Sequence, residues 1–286
     1  MKTIGVIGGS GLYEMEGLSD VKTVSMETPW GKPSSSLLTG TLGSARMVFL
    51  PRHGTGHTVS PSEINFRANI YAMKAMGVEW IISVSAVGSL KKEIEPRHIV
   101  IPDQFIDNTK RRPSTFFEGG IVAHVSMADP VCSVLSGRLR EASLGFADTV
   151  HSGGTYVCIE GPQFSTRAES HLYREWGADI IGMTAMPEAK LAREAEICYS
   201  TIALCTDYDC WNEDHDDVTV SDIIEIMNKN VEAAREIVAA VVDTIPEERE
   251  CLCEGALGHS IITSSDRVTE ETRKRFELVV NKYMRS

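Results

Sequence analysis

Two carboxylates close a strand-like run in this chain. Cys205-Thr206-Asp207-Tyr208-Asp209-Cys210-Trp211 follows Tyr199-Ser200-Thr201-Ile202-Ala203-Leu204. The apolar and β-branched character of the latter predicts a buried strand. Carboxylates just beyond a strand lie at the carboxyl edge of a sheet, where open α/β folds place ligands. Asp207 and Asp209 are two apart, so extended backbone points both to one side. A protonated carboxyl there can donate to a ring nitrogen, and an ionised one can accept from an exocyclic amine. The same Asp-Tyr-Asp spacing also suits a solvated turn.

Three further strand ends carry anion-compatible groups. Ile7-Gly8-Gly9-Ser10-Gly11 follows the first apolar run, and its glycines let N–H groups and the Ser10 hydroxyl face an anion. The dinucleotide pattern fails because the third glycine would fall at Glu14, and no Gly-Lys-Ser/Thr follows for a P-loop. Arg52-His53-Gly54 offers a planar donor fork and an imidazole; Arg52 could equally pair with one of the many acids. His53 and His57 are four apart, but Gly54 and Gly56 argue against a helix, and no metal site is expected. Ser83-Val84-Ser85-Ala86-Val87-Gly88-Ser89 ends a third strand in small residues that permit close backbone approach. Glu160-Gly161-Pro162-Gln163-Phe164-Ser165 and Gly182-Met183-Thr184 follow two more, where Phe164 could stack on a flat ring and Met183 could pack on a sugar or base. No Ser-His-Asp or Cys-His order and no G-x-S-x-G elbow occurs, so a nucleophile brought by a ligand, such as inorganic phosphate, fits better than one from the protein.

Positioning these groups requires alternating strands and helices. Strands are predicted at Thr3–Ile7, Arg46–Leu50, Trp80–Val84, His98–Ile101, Thr155–Ile159 and Cys198–Leu204. Helices are predicted at Ser62–Met76 with Ser62 as cap, Pro130–Ser143, Thr166–Trp176, Pro187–Glu196 and Ser221–Val242. An amphipathic terminal helix is predicted over Arg267–Met284. The alternation implies an α/β fold, a central mixed sheet flanked by helices, and no break in composition divides the 286 residues into two domains.

The net charge is −12 without a basic stripe, which argues against sequence-independent nucleic-acid binding. The Ile4–Ile7 run is too short for a signal peptide, and no apolar span of about 18 residues occurs. No membrane association and a cytoplasmic location are expected. The seven cysteines are scattered and show no paired C-x-x-C framework for zinc.

Together these motifs closely resemble the methylthioadenosine phosphorylase group of the trimeric purine nucleoside phosphorylase family. The resemblance runs in order through Gly8–Leu12, Arg52–Gly54, Ser85–Ser89, Asp103-Gln104-Phe105-Ile106-Asp107, Glu160–Ser165, Met183-Thr184 and Thr206–Trp211. It implies attack of phosphate on the anomeric carbon of a purine nucleoside, with no cofactor. It implies phosphate contacts from Ser10, Arg52, His53, Ser85, Ala86 and Thr184. Substrate contacts are implied for Phe164, Met183, Asp207, Tyr208 and Asp209, with Asp207 catalytic in assisting protonation of the base. Specificity is implied for Ser165, Val220 and Ile223, and for His124 reaching the 5′ pocket of a neighbouring subunit in a homotrimer or a dimer of trimers. Members that prefer 6-oxopurines carry Asn in the acid loop, so Asp209 favours adenine; a 6-oxopurine phosphorylase is the alternative. A nucleoside-binding protein without turnover is the rival of another class. Gly182 stands where many relatives have Asn, and Ser10 and Ser85 where some have Thr. Cys251-Leu252-Cys253 resembles a C-x-C that can be oxidised in thermophilic relatives.

Overall fold

The fold is seen in a computed structural model, which describes residues 1–9, 11–147, 149–212 and 220–284, with the backbone alone for 220–229. The strands are β1 (Thr3–Gly8), β2 (Ser19–Val24), β3 (Leu37–Leu42), β4 (Ala45–Pro51), β5 (Trp80–Ser89), β6 (Ile99–Ile101), β7 (Gln104–Asn108), β8 (Val150–Ser152), β9 (Thr155–Ile159), β10 (Ile180–Gly182) and β11 (Cys198–Tyr208). The helices are α1 (Phe66–Ala75), α2 (Ser133–Ser143), α3 (Arg167–Glu175), α4 (Ala185–Glu194), α5 (Val220–Val242), α6 (Glu270–Arg275) and α7 (Glu277–Val280). The strands form one mixed sheet with the path β2-β3-β4-β1-β5-β10-β9-β7, while β11 joins β5 to β6 and β6 joins β8.

The sheet forks along β5, and the fork makes room for a site. One edge of β5 pairs in parallel with β11 from Trp80 to Ser89. The opposite edge pairs with β1 only as far as Ser83, then with β10 from Gly88. Val84–Val87 therefore has no strand beside it on that edge, and a gap opens between the end of β1 and the end of β10. β11 carries a bulge between Cys205 and Asp207, which re-aims the side chains that follow.

Buried apolar residues fill both faces of the sheet. Residues of α1 and α4 pack with Ile7, Ile81 and Tyr199 on one side. Residues of α2 and α5 pack with Val6, Ile82 and Ile202 on the other. Alternation of this kind along β1, β5 and β11 is what a sheet covered on both faces requires.

Four expectations on the elements need correction. α1 starts later than Ser62: Asn65 caps it by accepting from the Ala68 N–H, and the Ser62 hydroxyl instead points to the carbonyls of Glu160 and Gly161. The strand predicted over Trp80–Val84 runs on to Ser89, so Ser85–Ser89 is the second half of β5. Asp207 and Tyr208 likewise lie inside β11 rather than beyond it. The terminal helix over 267–284 is broken: Arg267 ends a 3₁₀ turn, and α6 and α7 meet at Phe276, a fully buried ring packed on Trp30 and Phe117.

Candidate active site

The gap beside Val84–Val87 is the floor of a cavity of about 290 Å³. Its lining joins the strand ends singled out in the sequence: Gly8 and Gly9, Arg52 and His53, Ser85 and Ala86, Phe164 and Ser165, Met183 and Thr184, and Asp207 and Asp209. Ser10 lies outside the described residues, as do the side chains of Val220 and Ile223.

At one end the cavity gathers the Arg52 guanidinium, two imidazoles and the hydroxyls of Ser85 and Thr184. Arg52 is almost fully buried. Its Nη1 donates to the Val84 carbonyl at 3.0 Å and to Thr184 Oγ1 at 2.9 Å. Its Nη2 reaches the Ile7 carbonyl, Ser83 Oγ and Glu188 Oε1 at 2.8, 2.8 and 3.2 Å. The expected open fork toward phosphate is thus largely committed to protein, and among the described residues only Nε–H lacks a partner. Arg52 supplies a buried positive charge and one donor, and it turns Thr184. Since Thr184 Oγ1 accepts from Arg52, its own proton is free for Ser85 Oγ at 3.0 Å or for a ligand. Thr184 is the N-cap residue of α4 yet makes no capping bond, which leaves the hydroxyl for this use.

His53 stacks on His57 with centroids 4.3 Å apart, and its Nδ1 lies 2.9 Å from the Val59 carbonyl. Burial is the largest influence on this ring and brings its pKa down to about 4. Near neutral pH the ring is uncharged with Nδ1 as donor to Val59, so Nε2 is an acceptor until a proton arrives with an anion.

At the other end stand the two acids. Burial raises the Asp207 carboxyl to about 6; Thr206, donating to Oδ1 at 2.6 Å, opposes the rise and Asp209 adds to it. Burial also raises Asp209. Asp209 Oδ2 is buried and makes no direct hydrogen bond among the described residues, although the hydroxyls of Ser170 and Ser165 lie close enough to oppose the rise. The backbone N–H of Asp209 is fixed on the Ser89 carbonyl at 3.0 Å, so β5 holds the loop.

Several contributors were not legible in the sequence. Tyr156, fully buried, places its hydroxyl 3.2 Å from Ser85 Oγ. Glu188 accepts from Arg52, from Ser83 Oγ at 2.7 Å and from Tyr199 at 3.0 Å. Arg112 ties two site loops together, donating to the carbonyls of Met183 and Met186 at 2.7 Å and of Glu160 at 2.6 Å. A lone Tyr, Glu or Arg in its own segment gives no hint of such partners. Gly161, with φ +65°, leaves room for Met183: a Cβ there would fall 2.5 Å from its sulfur.

One expected contact is not found at this cavity, and His124, expected at a neighbouring subunit's pocket, stands apart from it. Tyr208 does not line it; alternation along β11 turns its ring away, with the hydroxyl on the Lys92 carbonyl at 3.1 Å and the ring edge on Trp211. His124 lies in a separate, open cleft with Val122, Lys190 and Glu194. Phe164 is at the cavity but 66 % exposed, at the mouth rather than in a closed stack.

The chain compares with known proteins over nearly its whole length. The model of the phosphorylase superfamily matches residues 3–243. The S-methyl-5′-thioadenosine phosphorylase of Geobacter sulfurreducens is 58 % identical over 284 residues, 99 % of each chain. That of Koribacter versatilis is 55 % identical, covering 98 % of this chain and 96 % of its own. Among solved structures, a methylthioadenosine phosphorylase from an Antarctic soil metagenomic library superposes with a TM-score of 0.93 at 49 % identity, covering 97 % of this chain and 98 % of the other. The methylthioadenosine phosphorylase of Schistosoma mansoni in complex with adenine superposes with a TM-score of 0.82 at 34 % identity, covering 98 % of each.

Proposed function

This chain belongs to the phosphorylase superfamily, and from that premise we propose that it cleaves 5′-methylthioadenosine with inorganic phosphate, giving adenine and 5-methylthioribose 1-phosphate. The observation that carries the reading is the polarity of one cavity, with Arg52, Ser85 and Thr184 at one end and Asp207 with Asp209 at the other. Relatives of the same length act on, or are solved with, the molecules such a cavity would take.

The chemistry follows from what each end stabilises. Breaking an N-glycosidic bond leaves negative charge on the purine and oxocarbenium character on the sugar. Phosphate, held by the Arg52 charge and the hydroxyls of Ser85 and Thr184, lies under the sugar and forms the new C–O bond as the C–N bond breaks. Asp207, with its pKa raised to about 6, is partly protonated near neutrality and gives its proton to the leaving base. The buried Asp209 Oδ2 accepts from the exocyclic amine, while a 6-oxo group would face it acceptor to acceptor. Met183 and Ile181 supply apolar surface between the two ends. Phosphate is thus co-substrate, with no further cofactor needed.

We extend the reading to assembly, salvage and location. Exposed Val122 and Ile262 face each other beside His124, held together by the Ile262 N–H on the Val122 carbonyl at 2.9 Å. Exposed apolar residues beside a histidine fit a subunit contact, in which His124 closes the 5′ pocket of a neighbour in a homotrimer. Among the described residues no helix is long and apolar enough to cross a membrane, which agrees with a cytoplasmic enzyme that returns adenine and the methylthio sugar to purine and methionine salvage.

The deciding experiment is adenine release from 5′-methylthioadenosine with and without phosphate. Release that depends on phosphate, with methylthioribose 1-phosphate as co-product, is expected. Equal release in phosphate-free buffer would mean a hydrolase and would overturn the proposal.

A further inference from the structure

Four of the seven cysteines converge far from the catalytic cavity. The sulfurs of Cys132, Cys198, Cys251 and Cys253 all lie within 4.8 Å of one another. Three are buried, Cys251 is half-buried, and none is in a disulfide. They come from three distant segments: Cys132 is the N-cap residue of α2, Cys198 opens β11, and Cys251 and Cys253 bracket Leu252 at a 3₁₀ turn. This is why no spacing in the sequence betrays them.

We propose that these four thiols form a tetrahedral binding site for a divalent cation of the zinc class, which fastens the C-terminal segment to the sheet. A zinc ion with four sulfurs at about 2.3 Å requires S–S edges of roughly 3.8 Å. A tetrad within 4.8 Å, with Cys198 and Cys251 3.3 Å apart, reaches that by shifts of under about an ångström, within side-chain adjustment. All-sulfur ligands in this shape select zinc over the harder cations.

The surroundings fit the charge of such a centre. Four thiols that bind a divalent cation release four protons to solvent and leave a net charge of −2. Arg193 Nη1 lies 3.7 Å from Cys253 Sγ. Cys132 stands at the start of an 11-residue helix, whose free N–H groups favour negative charge. The ligand frame is also anchored without the ion. The Cys132 N–H donates to the Tyr199 carbonyl at 2.9 Å, and Glu196 accepts from the Leu257 N–H at 3.0 Å while its carbonyl accepts from Arg249 at 2.7 Å. Because Cys198 is at the opposite end of β11 from Asp207, the centre would serve stability rather than chemistry.

The test uses full-length protein purified under mild reductant without chelator. Elemental analysis after zinc loading and gel filtration should find about one zinc per chain. Cobalt(II) in place of zinc should give the intense visible bands, at roughly 600–750 nm, of a tetrahedral thiolate site. A strong chelator should lower the melting temperature of the wild type but not of Cys251→Ser/Cys253→Ser, which should bind neither metal. Retention below about a tenth of an equivalent, or weak octahedral cobalt bands, would overturn the proposal. So would a protein mass about 2 or 4 Da low, showing sulfurs paired in disulfides. The wild-type metal content and cobalt spectrum decide the matter even if the variant fails to fold.

Discussion

The hydroxyl of Tyr156 occupies the space that a side chain at residue 182 would need. A Cβ on Gly182 would fall 2.0 Å from that oxygen and 2.7 Å from the ring carbon bearing it. The ring that fills this space comes from a neighbouring strand, since β9 and β10 pair Cys158 with Gly182. Tyr156 in turn sets Ser85.

The first prediction follows from that pairing. Gly182→Ala should destabilise the protein by about 1–3 kcal/mol, as overpacking does, and should lower activity by displacing Tyr156 from Ser85. Tyr156→Leu opens the space, so the double variant should be more stable than the two single losses sum to. Additive melting shifts in the full cycle would show that the two residues do not share this room.

Asp207 ties stability to pH. Its folded pKa, raised by burial from 3.8 to about 6, means that between these values the unfolded chain loses the proton and the folded chain keeps it. Stability from this group is therefore greatest below the unfolded pKa and falls as pH rises to about 6. By pH 7 the loss is about 2–3 kcal/mol. Asp207→Asn should remove that loss, raising the melting temperature at pH 7.5 relative to pH 5 while greatly reducing turnover. A variant with the pH–stability profile of the wild type would contradict the raised pKa.

How much of this was legible beforehand depended on whether the signal was local. Arg52-His53, Ser85-Ala86, Met183-Thr184 and Asp207 to Asp209 each announce themselves within a few residues, because small or polar side chains interrupt an apolar run there, even where, as at Ser85 and Asp207, the strand itself continues. Tyr156, Glu188 and Arg112 did not, because their partners lie far away in sequence, as with Glu188 and Ser83 at 2.7 Å. β2 escaped notice because all its residues but Val24 are exposed, leaving no alternation to read. The end of β11 was placed too early because Cys-Thr-Asp-Tyr has a loop's composition, and its pairing with Gly88 and Ser89 overrides that propensity.

Thr184 offers a clean probe of the phosphate end. Thr184→Val keeps the shape but leaves Arg52 Nη1 with one acceptor fewer and removes the hydroxyl facing Ser85. Losing a hydrogen bond to a charged group costs about 1.5–3 kcal/mol, so KM for phosphate should rise roughly 10- to 100-fold. Thr184→Ser should stay near wild type. Equal behaviour of the two variants in phosphate titrations would remove Thr184 from the anion site.

Base choice rests on the unpartnered oxygen of Asp209. Asp209→Asn places an amide where a buried acceptor stood, so a 6-amino group loses its partner and a 6-oxo group gains a donor. The change in methylthioadenosine-to-methylthioinosine preference should be tenfold or more, from about 1.5–3 kcal/mol for the bond lost. An unaltered ratio of kcat/KM values would refute the assignment of this oxygen to the amine.

The assembly proposed around His124 predicts complementation between damaged chains. Asp207→Ala should abolish turnover in its own site. His124→Ala should weaken the neighbour's site through lost packing on the methylthio group, with its largest effect on KM. If each site takes its acids from one chain and its histidine from the next, mixed trimers contain sites with both groups intact. Such a site needs a His124→Ala chain as its body and an Asp207→Ala chain as its neighbour, so random reassembly of equal amounts restores about a quarter of them. Activity at substrate levels below KM should therefore exceed the mean of the two parents after unfolding and refolding together. A mixture no better than that mean, from chains shown by light scattering to have formed trimers, would mean that His124 serves its own chain or none.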